Sequence, residues 1–200
     1  WKEERDDIPV ERRKTKHILL IGQGGSGKTA IVQEIVLPVI DFIFPPELPD
    51  PTSSLIVCAS WAQAENISTE VHRGVSCHNA AGMRPGSTRN RDMHAMTPAT
   101  KANQQRRWNS MRCLIFEEVS MISAALFNML LYRSWQARKE RWAVREERLY
   151  DKADTAFGRM PIVIYLGDFL QLRPVAGRTL LVSLHTLAQG DKEMHPEHQQ

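Results

Sequence analysis

Four short apolar runs constrain this chain more than any other feature: HILLI at 17–21, LIVCA at 55–59, CLIF at 113–116 and PIVIYL at 161–166. Each is near-continuously apolar and rich in Ile, Val and Leu, the pattern of parallel strands covered on both faces. The segments between them read as helices, so the alternation predicts an α/β fold with a parallel sheet flanked by helices. The first helix is expected from Gly27 toward Phe44, kinked or interrupted at Pro38. PPELPDPT, at 45–52, reads as a rigid turn-rich connector. With 200 residues and 42% hydrophobic composition, one domain with a full core is the default.

Composition narrows the class further. The N-terminal segment WKEERDDIPVERRKTK is highly charged and no apolar run nears the length of a membrane span, so a soluble intracellular protein without a signal peptide is expected. Cys58, Cys77 and Cys113 are odd in number and lack CxxC spacing, which argues against a disulfide framework and a structural zinc site. Cys58 and Cys113 sit inside apolar runs and read as packing residues. The net charge of +3 makes no case for nucleic acid by itself. Its distribution does: residues 73–112 carry Arg73, Arg84, Arg89, Arg91, Lys101, Arg106, Arg107 and Arg112 against the one acid Asp92, a local charge of +7. Because the stretch also holds Gly, Ser, Asn and Pro, much of it is expected to be loop, with Trp108 offering a stacking face beside Arg106 and Arg107. Such a loop suits the backbone and bases of a single strand, although a cluster of this kind also occurs as plain solvated surface.

Directly after the first apolar run comes GQGGSGKT, which meets the phosphate-loop pattern G-x-x-x-x-G-K-[ST] at Gly22, Gly27, Lys28 and Thr29. The loop, comprising Gly22, Gln23, Gly24, Gly25, Ser26 and Gly27, lets backbone N–H groups turn toward phosphate oxygens, and the helix that follows adds its positive end. Lys28 is expected to neutralise the β and γ phosphates of a nucleoside triphosphate, and Thr29 to place its hydroxyl on Mg²⁺.

Hydrolysis also needs an acid at the end of a neighbouring strand. CLIF supplies two, Glu117 and Glu118, delivered to the carboxyl edge of the sheet where the phosphate loop also lies. Glu117 is the candidate for the Mg²⁺ shell and Glu118 the candidate general base for water. The last run ends in GDFLQLRPV, where Gln171 can donate its amide to a phosphate oxygen and Asp168 can fix the loop or the metal's water shell. Residues 133–154 are dense in both charge signs, with Trp135, Trp142 and Leu149 spaced by seven, and read as a solvated helical arm packed on the domain edge.

Taken together, GQGGSGKT, FEEVSM at 116–121 and FGRMPIVIYLGDFLQLRPV at 157–175 resemble the motor core of the Pif and RecD-like DNA helicases of superfamily one. Few other P-loop families pair such a loop with GDFxQL. CASWAQAENI at 58–67 and GVSCHNAAGM at 74–83 look like the family segments that line the path of single-stranded DNA. By position, the resemblance makes Ser60, Trp61, His78 and Asn79 candidate DNA contacts and adds weight to Arg106, Arg107 and Trp108. It implies a RecA-like P-loop ATPase domain over 17–187, with a charged segment at 1–16, a helical insertion near 133–154 and a polar tail at 188–200. The implied cofactors are ATP and Mg²⁺, and the implied partner is single-stranded or forked DNA, with a nuclear or mitochondrial setting if the source is eukaryotic. The chain departs from the family pattern where Glu117 replaces Asp, Ser76 replaces Thr, Trp61 occupies a small or hydroxyl position and Arg173 replaces proline. No adenine-reading glutamine motif is recognisable in 1–16, and no second RecA-like domain with its arginine finger follows the third motif. The expectation is therefore half of a motor, either a fragment or a truncated product, that does not unwind DNA alone. Two alternatives stand beside it: a decayed nucleotide- or DNA-binding module, and a P-loop ATPase that acts on a protein partner through the helical arm.

Overall fold

The computed structural model describes residues 14–46, 52–83, 97–138, 156–168 and residue 180. Expectations for Gln171, Arg173, Trp142, Leu149 and both chain ends lie outside the described residues. The elements are β1 (Lys16–Ile21), α1 (Lys28–Ile31), a π-helical segment (Val32–Val36), α2 (Leu37–Ile43), β2 (Ser54–Cys58) and α3 (Trp61–Ile67), followed by β3 (Gly74–Ser76) and α4 (Cys77–Ala80). Then come α5 (Pro98–Ser110), β4 (Cys113–Glu117), a 3-10 turn (Val119–Met121), α6 (Ala124–Arg138) and β5 (Ile162–Gly167). The strands form one parallel sheet in the order β1-β5-β4-β2-β3. All four apolar runs are strands, and the α/β expectation holds. β3 escaped the pattern because it is three residues long and starts with glycine.

Strand alternation explains why the runs are apolar throughout. Leu55, Val57, Leu114, Phe116 and Val163 face one layer, which packs on Trp108 of α5, on Leu130 of α6 and on Phe157. Ile56, Cys58, Cys113, Ile115 and Ile164 face the other, against Val32, Leu37, Ala64 and Ile67. Three of the central strands thus bury both faces. β1 does not: it stands at the margin among the described strands, with Ile18 45%, Leu19 53% and Ile21 63% exposed. Two-sided burial follows from position in the sheet, which the apolar run at 17–21 does not encode.

The first helix runs on past Pro38, as expected, but with an adjustment. Pro38 has no N–H to give to the carbonyl one turn back, and the ladder widens to π spacing over Val32–Val36 immediately before it.

Two sequence expectations need correction here. The basic stretch is helical over α5, because Thr97 caps its start by accepting from the Thr100 N–H at 3.2 Å and Pro98 fits the first turn. The start of the expected solvated arm is likewise interior: Arg133, Ser134, Ala137 and Arg138 are buried on α6. Arg138 is fully buried and donates to the carbonyls of Gly158 at 2.9 Å and Met111 at 2.8 Å, and also to that of Trp108. Those carbonyls come from the turn Ala156–Arg159, where Phe157, Gly158 and Arg159 take φ of 51°, 64° and 57° in succession, and from the end of α5. Consecutive left-handed residues are strained, so this turn depends on Arg138 and on the burial of Phe157 to hold it.

Candidate active site

Parallel strands deliver all of their carboxyl ends to one edge. The registers Ile21 with Gly167, Cys58 with Glu117 and Cys58 with Ser76 align the loops after β1, β5, β4, β2 and β3 along that edge. The edge therefore gathers the phosphate loop, Asp168, Glu117 with Glu118, Ser60 with Trp61, and His78 with Asn79.

The loop is tied to its neighbours by backbone. The Gly22 N–H donates to the Gly167 carbonyl at 3.3 Å, the Ser26 N–H to Gln23 at 3.2 Å, and the Ile31 N–H to Gly27 at 3.0 Å. Gly25 and Gly27 lie at φ of 76° and 84°, where a side chain would be strained, and residues 23–27 are exposed. Lys28 folds back over the loop, donating to the Gly22 carbonyl at 2.6 Å and the Gln23 carbonyl at 3.0 Å. Its ammonium thus stands over the loop, held by weak acceptors that a charged phosphate oxygen would outcompete.

Thr29 reaches across to the acids, its hydroxyl donating to Glu117 Oε1 at 2.8 Å. Glu117 is 8% exposed, and burial raises its pKa; the Thr29 hydrogen bond opposes that shift, the Glu118 charge adds to it and Lys28 opposes it. Glu117 Oε2 and Glu118 Oε2 are both buried without a hydrogen-bond partner among the described residues. Two orphaned carboxylate oxygens beside a hydroxyl are chemically matched to a hard divalent cation. No group of three or more His, Cys, Asp or Glu that could hold a metal occurs among the described residues. Glu118 itself has φ 51° and ψ 54°, a left-handed backbone for a non-glycine residue directly after the strand. Asp168 follows β5, is 5% exposed, and adjoins the Gly167 carbonyl that anchors the phosphate loop.

Beside this site, the residues expected along the strand path divide. Ser60 is exposed and caps α3, and Trp61 is 58% exposed with its indole N–H donating to Glu65 at 2.9 Å, which leaves the ring accessible. Asn79 is exposed and accepts from Arg107 at 2.9 Å, so α5 docks Arg107 against α4, just after β3. His78 is half-buried, and burial lowers its pKa, which favours the neutral ring. Arg106 is exposed. Trp108 is the correction: it is fully buried, its indole N–H donating to the Ala80 carbonyl at 3.2 Å and to Gln104 at 3.1 Å. A ring sealed in the core cannot stack on a base; α5 turns Trp108 inward while Arg106 points out. Gln63 was missed, although the S-x-x-Q spacing of Ser60 and Gln63 announces a capping box, which the structure contains.

Comparison with known proteins gives this edge its relatives. Solved structures share the fold: Pif1 helicase from Candida albicans at 22% identity and TM-score 0.55, covering 80% of this chain and 30% of that one. The Bacteroides sp Pif1 complex with ADP-AlF4 matches at 17% identity and TM-score 0.53, covering 84% of this chain and 31% of that one. Bacteroides Pif1 bound to ssDNA matches at 18% identity and TM-score 0.52, again covering 84% and 31%. The chain therefore spans about a third of the length of these relatives, and the shared architecture is RecA-like. No curated protein sequence matches. The sequence profile of the PIF1-like helicases matches residues 6–182, and with that match running over most of its length the chain belongs to the PIF1-like helicase family.

Proposed function

We propose that this chain is the first RecA-like motor domain of an ATP-dependent DNA helicase, coupling ATP hydrolysis to movement along single-stranded DNA. The observation that carries the reading is the 2.8 Å contact between Thr29 and Glu117, which are 88 residues apart in sequence. It brings the phosphate loop and a buried acid together at the carboxyl edge of the sheet, a place that suits a triphosphate and its cation.

In this reading the loop amides from Gln23 to Gly27 bind phosphate oxygens, and Lys28 exchanges its two carbonyl partners for the β and γ phosphates. Thr29 and Glu117 hold Mg²⁺, which when bound neutralises charge on the phosphates. Glu118 orients water and takes its proton, Asp168 fixes the loop beside Gly22, and Gln171 senses the γ phosphate. Ser60, Trp61, His78, Asn79, Arg106 and Arg107 form the strand path; that Bacteroides Pif1 is bound to ssDNA and that Pif1 helicases act at forked dsDNA supports DNA as the partner, not any one of these contacts. A second RecA-like domain in the full-length protein supplies the other wall of the ATP site and the partner surface for translocation.

The test is Mg²⁺-dependent ATP binding, followed with a fluorescent ATP analogue. Lys28→Ala removes two charge-assisted contacts to phosphate, worth about 1.5–3 kcal/mol each, so affinity should fall by about two orders of magnitude or more. Unchanged affinity in that variant overturns the nucleotide site.

A further inference from the structure

Gln63, on the first turn of α3, uses both ends of its side-chain amide. Its Oε1 accepts from the Ser60 backbone N–H at 3.0 Å and from the Ser60 hydroxyl at 3.2 Å, while its Nε2 donates to Met121 Sδ at 3.0 Å. The orientation follows from chemistry: a backbone N–H only donates, so the carbonyl end faces Ser60 and the NH₂ end faces the thioether. Met121 closes the turn that begins at Glu118, its N–H donating to the Glu118 carbonyl at 2.9 Å. Glu118 in turn has a left-handed backbone, which persists only where neighbours hold it. One amide therefore spans the gap between the start of α3 and the strained turn that aims Glu118.

We infer that Gln63 is a positioning residue that links occupancy of Ser60 and Trp61 by a nucleic-acid strand to the orientation of the Glu118 carboxylate. Ser60 has a single hydroxyl proton, given to Gln63 Oε1 in the strand-free arrangement. A strand phosphate oxygen is the stronger acceptor, so the Ser60 hydroxyl turns its hydrogen bond to that oxygen and keeps its proton. Gln63 then retains only the Ser60 backbone N–H at its carbonyl end, and the amide re-seats. The shift passes through the contact with Met121 to the turn that carries Glu118. The inference rests on the strand-path reading given above.

A cap with no part in turnover is the competing account, because S-x-x-Q stabilises a helix start by itself. The two are separable. Gln63→Glu keeps the acceptor toward Ser60 and loses the donor toward Met121, whereas Met121→Leu removes the sulfur acceptor without adding charge. ATP turnover of the full-length protein is measured with and without saturating oligo-dT. The ratio of the two rates should fall by about fivefold or more in both variants, the lower end of a typical coupling between sites. Oligonucleotide Kd by fluorescence anisotropy should stay within about twofold of wild type, showing that the strand still binds. A turnover ratio unchanged in both variants reduces Gln63 to a helix cap and overturns the inference. A wild-type protein whose turnover ignores the strand overturns the motor reading, and this inference with it.

Discussion

Replacing Trp108 separates the stacking reading of this residue from its place in the core. The side chain is fully buried, with its N–H satisfied by Ala80 and Gln104. Truncation to alanine removes an indole from a packed layer, at about 3–5 kcal/mol for the lost burial and the cavity left behind. The Ala80 carbonyl also loses its indole donor, which adds about 1 kcal/mol. The total, about 4–6 kcal/mol, approaches the whole stability of an ordinary domain, about 5–15 kcal/mol. Trp108→Phe keeps most of the burial and loses the hydrogen bonds, so about 1–2 kcal/mol is expected. Urea denaturation followed by far-UV circular dichroism measures both variants, and oligo-dT anisotropy under native conditions tests the phenylalanine variant for strand affinity. A base-stacking ring makes the opposite forecast: about 1–3 kcal/mol lost from strand binding and little from folding. Trp108→Ala protein that unfolds at the wild-type urea concentration while losing strand affinity would refute the placement of this ring in the core.

Three further outcomes are expected. Burial raises the Glu117 pKa above its unfolded value, so between those two values the folded state binds more protons and stability falls as pH rises through that window. Glu117→Gln should therefore melt higher than wild type near neutral pH, lose that advantage below the ordinary carboxylate range, and bind ATP with Mg²⁺ more weakly; calorimetry showing equal melting at neutral pH contradicts this. Gly158→Ala places a Cβ 2.8 Å from the Arg138 Cβ and 3.1 Å from the Ser134 carbonyl oxygen at a φ of +64°, so denaturant titration should find about 2–4 kcal/mol of destabilisation. Arg106→Glu, which leaves the Arg107 contact with Asn79 intact, should weaken oligo-dT binding and reduce its salt slope by about one or more. An unaltered slope returns Arg106 to the solvated surface.

How much of this was legible depended on whether the signal was local. Near-continuous runs of Val, Ile and Leu, the glycines that a phosphate loop needs at positive φ, and the acids that end CLIF are properties of short segments. They determined the α/β class, the loop at Gly22–Thr29 and the delivery of Glu117 and Glu118 to a strand end. Even the start of α5 was written locally in Thr97 and Pro98, but the basic charge around it read more strongly as loop. Strand order, by contrast, depends on which runs pair, and among the described strands it decided that β1 stands at the sheet margin with Ile21 exposed while β4 is buried on both faces. Packing between elements decided that Trp108 and Arg138 face inward, since a tryptophan among arginines has the same local pattern whether its helix meets a core or water. The contact of Thr29 with Glu117 and the bridge from Gln63 to Met121 likewise join segments 88 and 58 residues apart. Spacing within a segment fixes which groups each strand end carries; only the folded sheet sets which of them touch, because contact across it is a matter of register and layer rather than of neighbouring residues.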